Sequence, residues 1–140
     1  MTQTAPARTT TSSRATGVLR AFQVLAVLTV VELLVQYVTA GGIIGPAHSH
    51  EARELHEAGA VVLHVLSGLT TIAAVVLWRL RAAPAWPAAL SAVVFVLTFV
   101  QAYLGDEETL YLHVPGALVL TVGSVWLAVW GFSGRARSVG

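Results

Sequence analysis

The sequence predicts an all-α integral membrane protein: an up-down-up-down bundle of four spanning helices with both termini in the cytoplasm. Three observations predict it. The 140-residue chain is 56% hydrophobic and only 11% charged, whereas a soluble domain of this size carries about 25% charged residues. Four apolar runs, at 18–40, 58–78, 84–105 and 109–132, each approach or exceed the ~20 residues that cross a bilayer. The charges are also partitioned. Arg8, Arg14 and Arg20 precede the first run, Arg79 and Arg81 separate the second from the third, and Arg135 and Arg137 follow the fourth. These segments share one side in a chain that crosses four times, and the positive-inside rule puts that side in the cytoplasm.

The elements follow in order. Residues 1–16, rich in Thr, Ser and Ala, read as a disordered cytoplasmic tail. The first run exceeds the ~7–15 residues of a signal-peptide core, so it reads as a retained anchor. A polar connection at about 41–55 leads to the second run. The links between the second and third runs and between the third and fourth are only a few residues each, as antiparallel neighbours in a bundle require. Glu51, Glu54, Glu57, Asp106, Glu107 and Glu108 fall in the two loops opposite the arginines, beside Arg53 alone. Tyr37, Tyr103 and Tyr111 mark the outer interface, and Trp78, Trp86, Trp126 and Trp130 the inner one, as aromatic belts do. The bundle domain is thus 17–132, followed by a tail at 133–140. A multi-pass protein of the plasma membrane is the expected setting.

Composition excludes several chemistries. No cysteine is present, which removes disulfides, thiolate ligands and covalent c-type haem. A net charge of +1 without a basic face gives nothing for nucleic acid to bind.

The polar residues inside the spans carry the functional reading. An ionisable side chain in hydrocarbon is costly and faces a partner or a pathway. His64 and His113 lie within the second and fourth runs, roughly 10 Å and 7–8 Å below the outer charges at 1.5 Å per residue. Gly68 lies one turn from His64 and Gly116 one turn from His113, so each imidazole has a groove beside it. Glu32 and Gln36 share a face of the first run and Gln101 lies in the third. Glu32, close to the depth of His64, is expected to fix an imidazole tautomer or to relay protons. Two histidines on separate helices beside small residues suit the axial positions of a flat porphyrin. The competing reading is a bundle without cofactor, an accessory subunit or small transporter with Glu32, His64, Gln101 and His113 as a polar pathway. The loop histidines His48 and His50, with Glu51, Glu54, His56 and Glu57, are candidate ligands for Zn²⁺ or Cu²⁺, or simply a polar loop.

Over most of 25–129 the chain resembles one four-helix half of a haem A synthase, and related small four-helix haem-binding membrane proteins. The residues that carry the likeness are Gly41–Gly42, then His64 with Ser67 and Gly68, then Gln101-Ala102-x-Leu104-Gly105, then Leu112-His113 with Ala117. The resemblance implies a non-covalent haem b held between His64 and His113, with His56 as the alternative ligand on the second helix. That family carries a Glu three residues before the second-helix histidine, where this chain has Val61, and is twice as long. The resemblance therefore implies a haem carrier or electron-transfer protein rather than an enzyme that oxidises a methyl group. Its partners would be the bilayer, a quinone or redox protein, and a second copy in a homodimer that completes eight helices.

Overall fold

A computed structural model describes residues 8–46, 48–133 and 136, with side chains from residue 13 onward. It contains α1 (Arg8–Ile44), α2 (His50–Arg79), α3 (Trp86–Tyr103) and α4 (Leu110–Phe132), with a short 3₁₀ turn (Glu107–Thr109) before the last. All four helices are long and apolar enough to cross a membrane. Residues 1–7 of the expected first tail, and Arg135 and Arg137 of the second, lie outside the described residues. Residues 8–16 are helical, and Ala15 is buried.

The connection expected at 41–55 is mostly helix. α1 runs on to Ile44 and α2 starts at His50. The Ser49 hydroxyl accepts from the Ala52 amide at 3.2 Å and caps α2, satisfying one of the free amides at a helix start. Glu51 in the first turn and Arg79 in the last complement the helix dipole. His50 and Glu54 pair one turn apart at 3.4 Å on an exposed face. Apolar runs stop at such polar residues, but the helix does not.

The other end of α2 closes with a left-handed residue. The Ala82 amide donates to the Leu77 carbonyl and the Arg81 amide to Trp78, both at 2.9 Å, with Arg81 at φ 56°. This is the bond pattern of a Schellman cap, usually built on glycine. A residue with a Cβ loses about 1–2 kcal/mol in that region. Arg81→Gly is therefore expected to raise stability by about 1 kcal/mol, read as a later unfolding midpoint in detergent.

Rising residue numbers in each helix meet falling numbers in its neighbour. Thr39 touches His56 and Thr29 touches Thr70. His64 meets Phe99 and Gly68 lies against Phe95. Val94 approaches Gly123, and Phe22 meets Trp130. The helices form a closed ring, α1 on α2, α2 on α3, α3 on α4 and α4 on α1.

Many large apolar side chains point outward, with Val38 76% and Val122 and Val129 each 66% exposed. Ser67, Ser91, Ser124, Ala74 and Thr98 are buried instead. Small residues inside and aliphatic ones outside is how helices pack where the solvent is lipid.

The interior has three layers. At the end where α2 meets α3, Phe22, Leu77, Leu127 and Trp130 are buried, with Trp130 edge-on to both Phe22 and Trp86 at 5.4 and 5.5 Å. Trp130 is thus a core residue, although its position near a helix end reads as an interface anchor. A hydroxyl layer occupies the middle. The far end holds the histidines.

Candidate functional site

Three histidines lie toward the end where α1 meets α2, and each ring is oriented by the backbone or by a hydroxyl. His113 Nδ1 lies 3.0 Å from the Gln101 carbonyl, and His64 Nδ1 against the carbonyl of Ala60 in its own helix. A carbonyl only accepts, so each Nδ1 carries the proton and each Nε2 keeps its lone pair. His56 Nδ1 lies 2.9 Å from the Thr39 hydroxyl. That hydroxyl spends its proton on the Val35 and Gln36 carbonyls, at 3.1 and 3.0 Å. It therefore accepts from His56, which leaves Nε2 open there too. An imidazole whose second nitrogen is held in this way is prepared to ligate a metal.

The histidine brought to His113 is His56. Their ring centres lie 6.3 Å apart with planes inclined by 54°. His64 instead packs edge-on against Phe99, ring centres 4.0 Å apart. Helix geometry explains the difference. His64 is eight residues beyond His56, so it lies roughly 12 Å further along α2 and about 80° round it, on the side of α3.

Glu32 and Gln36 form a pair of their own, Gln36 Nε2 donating to Glu32 Oε1 at 3.1 Å. Both press on Gly59, where a Cβ would overlap the Gln36 amide and stand 2.5 Å from Glu32 Oε1. Glu32 thus does not set the His64 tautomer, which the Ala60 carbonyl does. Neither expected groove is open. A Cβ at Gly116 would overlap the Gln101 amide, and one at Gly68 would meet Phe95 at 3.1 Å.

A repeat relates the two hairpins. α2 carries His56-Glu-Ala-Gly59-Ala60 and α4 carries His113-Val-Pro-Gly116-Ala117. In each, the glycine receives a glutamine from the preceding helix, Gln36 or Gln101, and the backbone of that glutamine reaches the histidine. The short H-x-x-G-A string was present in the sequence. Thr39 gave no signal there, because one threonine in an apolar run has no distinguishing neighbours. The likeness breaks at one position: four residues before Gln36 stands Glu32, and four before Gln101 stands Leu97. Gln101 Oε1 is buried without a hydrogen-bond partner.

The His56 and His113 rings, 6.3 Å apart on different helices, would offer their open Nε2 atoms to a metal ion, for which imidazole nitrogen is a standard donor. The His64 ring packs against Phe99 instead. Among the described residues, no group of three or more His, Cys, Asp or Glu comes together for a metal ion, the His48 and His50 segment included. No protein-family model, curated protein or solved structure matches this chain.

Proposed function

We propose that this chain is a multi-pass plasma-membrane protein that binds a b-type haem between His56 on α2 and His113 on α4, and serves electron transfer or haem handling. The observation that carries this reading is the 6.3 Å separation of two imidazoles on different helices, each with Nδ1 engaged. Two histidine donors would suit a haem iron, for which histidine is a standard ligand, whereas a bare zinc site needs four ligands. Haem, when bound, supplies one-electron exchange, and the protein supplies orientation and tuning. His56 and His113 would hold the iron. The Gln101 carbonyl and the Thr39 hydroxyl keep the two rings in the tautomer that leaves Nε2 free.

The bundle crosses up-down-up-down with both termini cytoplasmic. The arginines at 14, 20, 79 and 81 lie toward one end and the acids at 51, 54, 57 and 106–108 toward the other, which supports that orientation by the positive-inside rule. The histidine pair then lies in the outer half of the membrane, within reach of a quinone or a redox protein at the outer surface. A homodimer would supply the eight helices of the longer proteins it resembles.

Absorption spectroscopy tests the reading. Protein purified from haem-replete cells is expected to show a Soret band, and sharp α and β bands after dithionite. His56→Ala and His113→Ala should each lose most of it, while His64→Ala keeps it. A colourless, folded preparation overturns the haem reading. Loss in His64→Ala with retention in His56→Ala returns the ligand role to His64.

A further inference from the structure

We infer that the end of the bundle opposite the histidines selects anionic phospholipids, whose headgroup phosphates pair with a collar of four arginines. Arg14 and Arg20 on α1, Arg79 at the end of α2 and Arg81 in the turn after it are all exposed. No Asp or Glu of the chain stands near them. None occurs in 1–31, 58–105 or 109–140. The ion pair found among the described residues, His50 with Glu54, lies at the opposite end. Like charges gathered without counter-charge repel one another, and an external anion relieves that repulsion.

Their depth points to the lipid headgroup rather than to a partner in the aqueous phase. Thr29 and Thr70 meet in the middle layer of the bundle, 3.5 Å apart. Arg20 precedes Thr29 by nine residues and Arg79 follows Thr70 by nine, which places both roughly 13–14 Å from that level. Nine residues are also about two and a half turns, so both side chains face away from the interior. Arg14 stands roughly 22 Å from the same level by the same rise. Bilayer hydrocarbon ends about 15 Å from its centre, and the headgroups end about 20–22 Å from it. The collar thus spans the phosphate zone. Trp78, Trp86 and Trp126, 45%, 39% and 64% exposed, lie at this same end, where indole rings settle among headgroups.

The chemistry of these side chains favours phosphate. A guanidinium presents a planar fork of donors that fits two phosphate oxygens at once, and the chain uses arginine throughout, with no lysine. A zwitterionic lipid carries the same phosphate with its charge already balanced by its own amine, so the anionic lipid is preferred. Arg81 adds a conformational argument. Its φ of 56° lies in the left-handed region, where glycine is the usual residue of such a cap. Backbone strain is kept where the residue it carries has a use. Here it holds a guanidinium two residues beyond Arg79, at the edge of the membrane. Each arginine close to an anionic surface is worth roughly fivefold in binding.

The test is quenching of tryptophan fluorescence by brominated lipid, with the full chain in vesicles that mix phosphatidylcholine and phosphatidylglycerol. All four tryptophans lie toward the arginine end, so the signal reads the lipid around the collar. Brominating one lipid and then the other gives their relative binding constant. Haem content cancels in that ratio, and both leaflets have one composition, so the outcome is independent of the histidine centre and of orientation. Phosphatidylglycerol is expected to be favoured about fivefold at low salt, and less at high salt. Arg20→Gln/Arg79→Gln should bring the ratio close to one. Arg81→Gly separates lipid contact from a structural role, because it stabilises the fold yet should lower the ratio about twofold or more. Equal quenching by the two lipids in the wild-type chain overturns the inference, as does an unchanged ratio in both folded variants. Equal quenching combined with tight binding of a poly-glutamate peptide in pure phosphatidylcholine vesicles would assign the arginines to an acidic protein instead.

Discussion

Gly116→Leu is expected to destabilise the bundle by about 1–3 kcal/mol, the usual cost of forcing extra methylenes into filled space. Helix propensity pulls the other way, because glycine in a helix interior is about 0.8–1.0 kcal/mol worse than alanine and leucine is nearly as good as alanine. Overlap wins because the obstacle is the Gln101 side-chain amide, which would overlap even a bare Cβ at this position and belongs to a residue only 8% exposed. Displacing it also moves the residue whose carbonyl orients His113. The double variant Gly116→Leu/Gln101→Ala vacates that space and should recover most of the loss. Unfolding of the two single variants and the double in detergent gives a coupling energy, expected in the 0.5–3 kcal/mol range of residues in contact. A coupling near zero would mean that Gln101 and Gly116 do not pack as described. The same pair of substitutions at Gly59 and Gln36 tests whether the two hairpins use one device twice.

That device shows where sequence reasoning reaches and where it stops. The four helices were legible because apolarity is counted locally: a run long enough to span reads as a span whatever surrounds it. Their ends were less so. Ser49 and Glu51 look like loop residues by polarity, yet they cap and charge the start of α2. The pairing of the histidines was hidden for a different reason. Depth treats a helix as a line, and by depth His64 matches His113. Partners are set by rotation as well, and the eight residues between His56 and His64 turn the second ring toward Phe99. His56 was visible as an alternative ligand, and the H-x-x-G-A strings at His56 and His113 would have favoured it. The glutamines were harder to align, because Gln36 precedes its histidine by 20 residues and Gln101 by 12, so no constant spacing betrays the pairing. The hydroxyl layer was hidden altogether. Ser67, Ser91, Ser124, Thr29 and Thr70 are scattered over four segments, and only the folded ring brings them to one cavity.

Phe22→Ala is expected to be the most destabilising single truncation, toward the lower end of the about 3–5 kcal/mol typical of buried Phe→Ala changes. The reduction follows from the solvent. Lipid is as apolar as the bundle interior, so what is lost is packing rather than shelter from water. Packing at this position is dense. Phe22 is fully buried, its ring meets Trp130 edge-on at 5.4 Å, and a Cβ on Gly131 would stand 3.0 Å from it. Deleting the ring leaves a void between α1 and α4 that the helices cannot close without moving Trp130 off Trp86. Val38→Ala supplies the control. Val38 is on the same helix but 76% exposed, and its truncation should change stability by no more than about 0.5 kcal/mol, as for surface positions generally. Detergent unfolding of the two variants reads the inside and the outside of α1 directly. Equal losses at both positions would mean that α1 does not present this face to α4.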